Sequence, residues 1–237
     1  MKLSALAEVD ASGSFVRSAS KFTHRIGGER FPAVAGRYML YVSRACPWAC
    51  RTLAVRALKG LEHVVPVTVV SPRWAPTKPQ QDDHMGWVFR SCCHACDADL
   101  LEVPLTEPVF HANSIRAVYE AAEPDMQHVK VLRALFIPLA RRRVKSVSPA
   151  APSLVTHTFP PPPSQFTVPL LVDTITRRIV CNESELIMRD FNSAFDSLAR
   201  FPSVNLRPPH LSDAIDELND AMCVPAGSSW PRCQHVL

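Results

Sequence analysis

The feature that most constrains this chain is a strand–helix–strand unit over residues 37–70, with Cys46 and Pro47 at its first junction. Residues 38–42 are short, apolar and rich in aromatic side chains, which is typical of a buried strand. Pro47 suits the first turn of a helix, and Gly60 suits its end. The predicted core face of this helix consists of Trp48, Leu53, Ala54, Val55 and Leu58.

The remaining pattern completes one small α/β domain. A β-branched run follows the first helix and predicts a second strand, which Pro66 places near a sheet edge. A later helix is predicted over 107–122, followed by an antiparallel hairpin of strands 168–173 and 178–181. Asn182 is placed to cap the next helix. The order β-α-β, α, β-β-α is that of a thioredoxin-like domain, a mixed four-stranded sheet with helices on both faces.

Cys46 lies directly before the first helix, where backbone N–H groups and the helix dipole favour a thiolate nucleophile. A dithiol redox site needs a second cysteine three residues later, where this chain has Ala49. Cys50 lies a full helical turn from Cys46, so it is poorly placed to resolve a disulfide. The pattern predicts a site with one cysteine whose mixed disulfide is resolved by an external thiol. The alternative is a small buried apolar residue, as most free cysteines are.

Two further features lie near the hairpin. Val168-Pro169 precedes a strand where thioredoxin-like proteins carry a cis-proline beside the active cysteine. An ordinary trans proline at a strand start is the alternative. Asn182-Glu183-Ser184 opens a helix whose N-terminus suits a ligand carboxylate, although a plain N-cap explains the same residues.

The residues around Cys46 resemble the glutathionyl-hydroquinone reductases, the xi class of glutathione transferases. The Cys-Pro-Trp-Ala motif at 46–49 is the most specific match. The family's sequence blocks are matched in order by residues 41–53, 59–62, 86–89, 166–171 and 182–196. The resemblance extends over roughly residues 5–126 and 166–222.

This resemblance implies a reaction and a binding site for glutathione as cosubstrate. Cys46 would attack the glutathione sulfur of a glutathionyl-hydroquinone and hold it as a mixed disulfide, which a second glutathione would release. Trp87 would pack on the bound glutathione, and its alternative is a core or lid aromatic. The Val168 backbone beside cis-Pro169 would pair with the cysteinyl amide. The γ-glutamyl end would be held by Glu183 and Ser184. Family members form homodimers.

The chain departs from the family at three places, and the first is Cys50, where the family usually has a polar residue such as His or Ser. Residues 127–165 carry six basic side chains, no acidic one and seven of the 22 prolines. We expect this insert to be disordered and outside the packed core. The family's helical domain, whose tyrosines surround the aromatic substrate, is represented only by its start. We therefore divide the chain into a lead-in, 1–36, a thioredoxin-like glutathione-binding domain, 37–200, and a vestigial helical start with a divergent tail, 201–237.

Charge and cysteine usage argue against several other functions. Without the six basic residues of the insert, 20 basic side chains remain against 22 acidic ones. A basic run without interleaved aromatic residues does not indicate nucleic-acid binding. The cluster of Cys92, Cys93, His94 and Cys96 lacks a second pair at metal-site spacing, so we expect no metal. No apolar run of about 18 residues and no secretory signal is found, which predicts a cytoplasmic protein without a membrane segment.

Three functions remain open from the sequence. The first is a glutathione-dependent thiol transferase that reduces glutathionyl-hydroquinones through Cys46. The second is a truncated, largely inactive glutathione-binding module. The third is a monothiol redox protein that acts on glutathionylated proteins. The short helical region favours the second, and the intact surroundings of Cys46 favour the first or the third.

Overall fold

The structure, a computed structural model, describes residues 20–89, 107–124 and 166–222. The predicted insert at 127–165, the cysteine cluster at 92–96 and the tail from residue 223 lie outside the described residues. The described strands are β1 (Tyr38–Val42), β2 (Val67–Val69), β3 (Ala75–Pro76), β4 (Met85–Gly86), β5 (Leu170–Asp173) and β6 (Arg178–Cys181). The described α-helices are α1 (Pro47–Leu58), α2 (Ile115–Ala122), α3 (Ser184–Ser193) and α4 (Ser212–Met222).

Four strands form one mixed sheet in the order β2-β1-β5-β6. β1 pairs in parallel with β2 and antiparallel with β5, and β5 and β6 form the predicted hairpin. β2 lies at the edge, as Pro66 directly before it predicts. β3 and β4 form a separate two-stranded ribbon. The predicted thioredoxin-like fold is therefore confirmed. None of the described helices is long and apolar enough to span a membrane.

The core lies on both sides of the inner strands. All four residues of β5 are buried, and successive side chains of a strand point to opposite faces. Both faces of the sheet are therefore covered at β5. The fully buried side chains of β1 include two aromatic rings, and its members with no exposed area are Tyr38, Leu40, Tyr41 and Val42.

The buried face of α1 differs from the predicted one. Its buried residues are Ala49, Thr52 and Val55, whereas the side chains of Trp48 and Leu58 are 39% and 53% exposed. The Thr52 hydroxyl donates to the Ala49 carbonyl at 2.7 Å, so its polar group is satisfied inside the protein. Small side chains at the contact allow α1 to pack closely against α3.

The helix α2 begins later than predicted, at Ile115 instead of residue 107. Its N-cap is Ser114, whose hydroxyl accepts the amide of Ala117 at 3.3 Å. The residues before it form a loop around the buried carboxylate of Glu107. This carboxylate accepts backbone amides of its own loop and the hydroxyl of Tyr41. Because these backbone amides are bound to the Glu107 carboxylate, residues 107–114 form a loop and the helix starts later.

Part of the lead-in packs against the free edge of β6. The amide of His24 donates to the Val180 carbonyl at 3.1 Å, and the amide of Asn182 donates to the Phe22 carbonyl at 3.0 Å. Thr23 forms an antiparallel bridge with Cys181. The lead-in therefore covers the backbone groups that an edge strand would otherwise expose.

The end of α1 holds the chain that follows α3. The Lys59 side chain is fully buried, and its ammonium contacts the Asp196 carboxylate at 2.6 Å. It also donates to the carbonyls of Pro202 and Val204, at 3.3 and 2.6 Å. Gly60 ends the helix with a φ of +65°, and a Cβ there would lie 2.5 Å from the Cβ of Arg200.

We expect Gly60→Ala to destabilise the fold. A left-handed backbone costs a side chain about 1–3 kcal/mol, and the contact with Arg200 adds to that cost. The measurement is the free energy of unfolding in urea. The matched control is Gly28→Ala, since a Cβ at Gly28 meets nothing within 4 Å. Equal stability of the two variants would show that the close approach at Gly60 is not required.

Candidate active site around Cys46

Cys46 is the N-cap residue of α1 and is 9% exposed. Its backbone is extended, and its carbonyl accepts the amides of Ala49 and Cys50 at 3.1 and 3.0 Å. No side chain caps the start of α1, and Pro47 removes one of the donors there. The cysteine sulfur donates to the Val168 carbonyl at 3.4 Å. The thiol therefore lies where the helix start meets the chain that leads into β5.

The Val168–Pro169 peptide bond is cis. Val168 is 4% exposed and lies two residues before β5. Because Tyr41 pairs with Leu170, the end of β1 and the beginning of β5 lie side by side. This pairing brings together Cys46 and Val168, which are 122 positions apart in the chain.

The start of α3 is joined to α1 by an arginine that sequence reasoning did not single out. Ser184 is 2% exposed, and its Oγ accepts from Nε and Nη2 of Arg51 at 3.0 and 2.5 Å. The same guanidinium lies 4.6 Å from the centre of the Trp48 ring. Because Arg51 can only donate, the hydroxyl proton of Ser184 is directed elsewhere. Only the position of Arg51, one turn into the helix after Cys46, could have suggested this role.

Glu183, not the predicted Asn182, is the N-cap of α3, and no side chain caps this helix. The Glu183 carboxylate accepts the hydroxyl of Ser20 at 2.9 Å. Two helices, α1 and α3, thus begin without a side-chain cap, whereas α2 is capped by Ser114. Uncapped N-terminal amides are suited to an anionic ligand.

Trp87 follows directly after β4 and is 8% exposed. Its ring meets that of Trp74 edge to face, with centroids 5.6 Å apart. Its carbonyl accepts the amide of Ile115 at 3.0 Å. These contacts fix Trp87 between β4 and the start of α2.

The other two described cysteines differ from Cys46. Cys50 is half-buried, and its thiol donates to the Arg44 carbonyl at 3.2 Å. Cys181 is fully buried and exchanges hydrogen bonds with the Glu183 backbone. Burial raises the pKa of the Cys181 thiol to about 12. Within residues 20–89, 107–124 and 166–222, no group of three or more His, Cys, Asp or Glu side chains is arranged to hold a metal ion.

A mixed four-stranded sheet, a cysteine at the start of α1 and a cis-proline beside it are the features of a thioredoxin-like domain. No family model matches the chain. The chain is 34% identical over 213 residues to glutathione S-transferase omega-like 2 of Schizosaccharomyces pombe, covering 88% of this chain and 51% of that protein. It is 32% identical over 216 residues to the glutathionyl-hydroquinone reductase of Escherichia coli K12, covering 87% and 50%.

Solved structures give the same relationship. The xi glutathione transferase of Phanerochaete chrysosporium matches with a TM-score of 0.61 and 34% identity, over 90% of this chain and 52% of that one. The glutathione-bound structure of the E. coli protein matches with a TM-score of 0.53 and 31% identity, over 80% and 44%. Over most of its length the chain is similar to the glutathionyl-hydroquinone reductases and to the xi-class glutathione transferases. It spans about half the length of the curated relatives it matches.

We expect Cys181 to be unreactive in the folded protein. Only the thiolate is nucleophilic, and a pKa of about 12 leaves on the order of one thiol in 10⁴ ionised at pH 8. Iodoacetamide at pH 8 should therefore leave Cys181 unmodified in peptide maps, while Cys46 is alkylated. The control is the same reaction in urea, where Cys181 should react. Alkylation of Cys181 as fast as Cys46 in the folded protein would contradict its burial.

Proposed function

We propose that this chain is a glutathione-dependent thiol transferase in which Cys46 is the nucleophile. The observation that carries the proposal is the contact between the Cys46 sulfur and the Val168 carbonyl, beside the cis Val168–Pro169 bond. A backbone edge next to a reactive sulfur can hold an extended peptide by main-chain hydrogen bonds. Glutathione is such a peptide, and it is bound in the E. coli relative's structure.

The proposed binding site uses the residues around both uncapped helix starts. The cysteinyl part of glutathione pairs with the Val168 backbone, which brings its sulfur to Cys46. The γ-glutamyl carboxylate binds at the start of α3, where the Ser184 hydroxyl donates and Arg51 supplies positive charge. Glu183 takes the γ-glutamyl ammonium group, and Trp87 packs on the tripeptide. Arg51 is the addition to the residues expected from the sequence.

The proposed reaction has two steps, a thiolate attack on a thioether sulfur and then a thiol–disulfide exchange. The Cys46 thiolate attacks the glutathione sulfur of a glutathionyl-hydroquinone, and a sulfur–sulfur bond forms as the carbon–sulfur bond breaks. The aromatic carbon takes the electron pair and a proton, which releases the reduced hydroquinone. A second glutathione thiolate then attacks the mixed disulfide, releases oxidised glutathione and regenerates Cys46.

A second candidate substrate is a disulfide of glutathione with another thiol, such as a glutathionylated protein. The observation that favours it concerns the tyrosines. The chain has three, Tyr38, Tyr41 and Tyr119, and none has any exposed surface. None of these phenols can therefore stabilise charge on a leaving hydroquinone. Exchange with a disulfide does not need such a donor, because its leaving group is a thiolate.

We expect oxidised glutathione to form a mixed disulfide at Cys46. Intact mass and peptide mapping measure the adduct, and Cys46→Ser should abolish it. Cys50→Ser is the matched control. It should form the adduct at Cys46 at the normal rate, because the Cys50 thiol of the unaltered chain is hydrogen-bonded to the Arg44 carbonyl and takes no part in the reaction. An adduct at Cys50 with Cys46 unmodified would contradict the site assignment.

The same preparation separates the two substrates. Losing one charge-stabilising donor typically costs about 10²–10³ in rate. Turnover of a glutathionyl-hydroquinone by this chain should thus be at least about a hundredfold slower than by the E. coli relative. Equal turnover would show that the aromatic half of the site does not require an accessible tyrosine.

A further inference from the structure

The hydroxyl of Tyr119 connects two segments of the proposed glutathione site. Tyr119 lies on α2 with no exposed surface, and the rings of Phe22 and Phe166 flank it with centroids 5.9 and 5.6 Å away. Its hydroxyl donates to the Thr167 carbonyl at 3.2 Å. It accepts the side-chain amide of Asn182 at 3.1 Å. One buried oxygen thus joins the residue before Val168 to the residue before Glu183.

The first of these bonds acts on the peptide group that faces the cysteinyl part of glutathione. The carbonyl of Thr167 and the amide of Val168 belong to the same planar peptide unit. A donor on the carbonyl fixes the plane of that unit and therefore the direction of the Val168 N–H. Among the described residues this N–H has no hydrogen-bond partner. It is thus available to a ligand.

The second bond acts on the junction between β6 and α3. Asn182 is 5% exposed, and its backbone amide is bound to the Phe22 carbonyl. Its side chain therefore sets the distance between this junction and Tyr119. Glu183 and Ser184, which follow directly, are the proposed γ-glutamyl contacts. The spacing of the two halves of the site is thus set through the tyrosine oxygen.

The hydrogen bonds run in one direction, from Asn182 through Tyr119 to Thr167. Each donor in such a chain polarises the next, which strengthens the last bond and makes the Val168 N–H a better donor. Burial raises the pKa of the Tyr119 hydroxyl to about 12, so the proton of this chain is present at neutral pH. A phenylalanine would fill the same volume without either hydrogen bond.

We propose that Tyr119 is a positioning residue of the glutathione site, which orients the Thr167–Val168 peptide and holds it at a fixed distance from the start of α3. The inference rests on the proposed function, because it assigns glutathione to these residues. Tyr119 itself does not touch the tripeptide or the reacting sulfur.

The test compares Tyr119→Phe with Tyr38→Phe. Tyr38 is equally buried, and its hydroxyl donates to the Pro32 carbonyl at 2.7 Å, at the end of β1 away from Cys46. Both variants lose one buried hydroxyl, and Tyr119→Phe should lose somewhat more stability in urea because that hydroxyl makes two hydrogen bonds and the Tyr38 hydroxyl makes one. Only Tyr119→Phe should weaken binding of reduced glutathione in calorimetry, by about 3- to 10-fold, the equivalent of one hydrogen bond.

A second readout separates positioning from thiol reactivity. Tyr119→Phe should slow the reaction of Cys46 with oxidised glutathione by a similar factor and leave its reaction with hydroxyethyl disulfide unchanged, because that reagent has no peptide backbone. Binding by Tyr119→Phe as tight as by Tyr38→Phe overturns the inference and leaves the proposed function standing. No binding by the unaltered chain overturns both. If Tyr119→Phe does not fold, Asn182→Ala must show the same loss of binding for the inference to stand.

Discussion

The antiparallel register of β1 and β5 is the constraint on which the candidate site depends. Tyr41 pairs with Leu170, so the chain leaving β1 and the chain entering β5 run past each other at one end of the sheet. Cys46 and Val168 meet there as a consequence. A slip of one residue would turn every side chain of β5 to the other face of the sheet. Since both faces are buried, packing opposes such a slip, and the same packing therefore positions the thiol.

Buried charges fix the loops around this sheet. Asp190 on α3 accepts the backbone amide of Ile26 at 3.0 Å and the guanidinium of Arg25 at 2.7 Å, which attaches the lead-in to the domain. Burial raises the pKa of Asp190, and the two donors oppose that effect. Glu107 performs a comparable task for the loop before α2. In both cases the donors come from a segment without a strand or helix, namely the lead-in and the loop before α2. Hydrogen bonds to buried carboxylates therefore hold these two segments in place.

The sequence predicted strands and helices better than it predicted contacts between residues far apart in the chain. The strand before Cys46 and the helix after it could be predicted, because period and turn residues are local properties. The buried face of α1 was predicted in part: Val55 is buried and Leu53 packs against the core, whereas the exposure of Trp48 and Leu58 depends on what packs beside them. The pairing of Arg51 with Ser184 spans 133 positions, and no local pattern encodes such a contact. The roles proposed for Trp87 and Glu183 rest on the family resemblance.

The buried ammonium of Lys59 attaches the C-terminal end of α1 to the chain that follows α3. The helix has twelve residues and is about 18 Å long at 1.5 Å per residue. One end positions Cys46, and the other binds Asp196 and the carbonyls of Pro202 and Val204. The chain around Val204 is therefore attached to the C-terminal end of α1, which is the end remote from the Cys46 thiol. We therefore expect a substitution in the chain after Val204 to have little effect on the direction in which the Cys46 sulfur points.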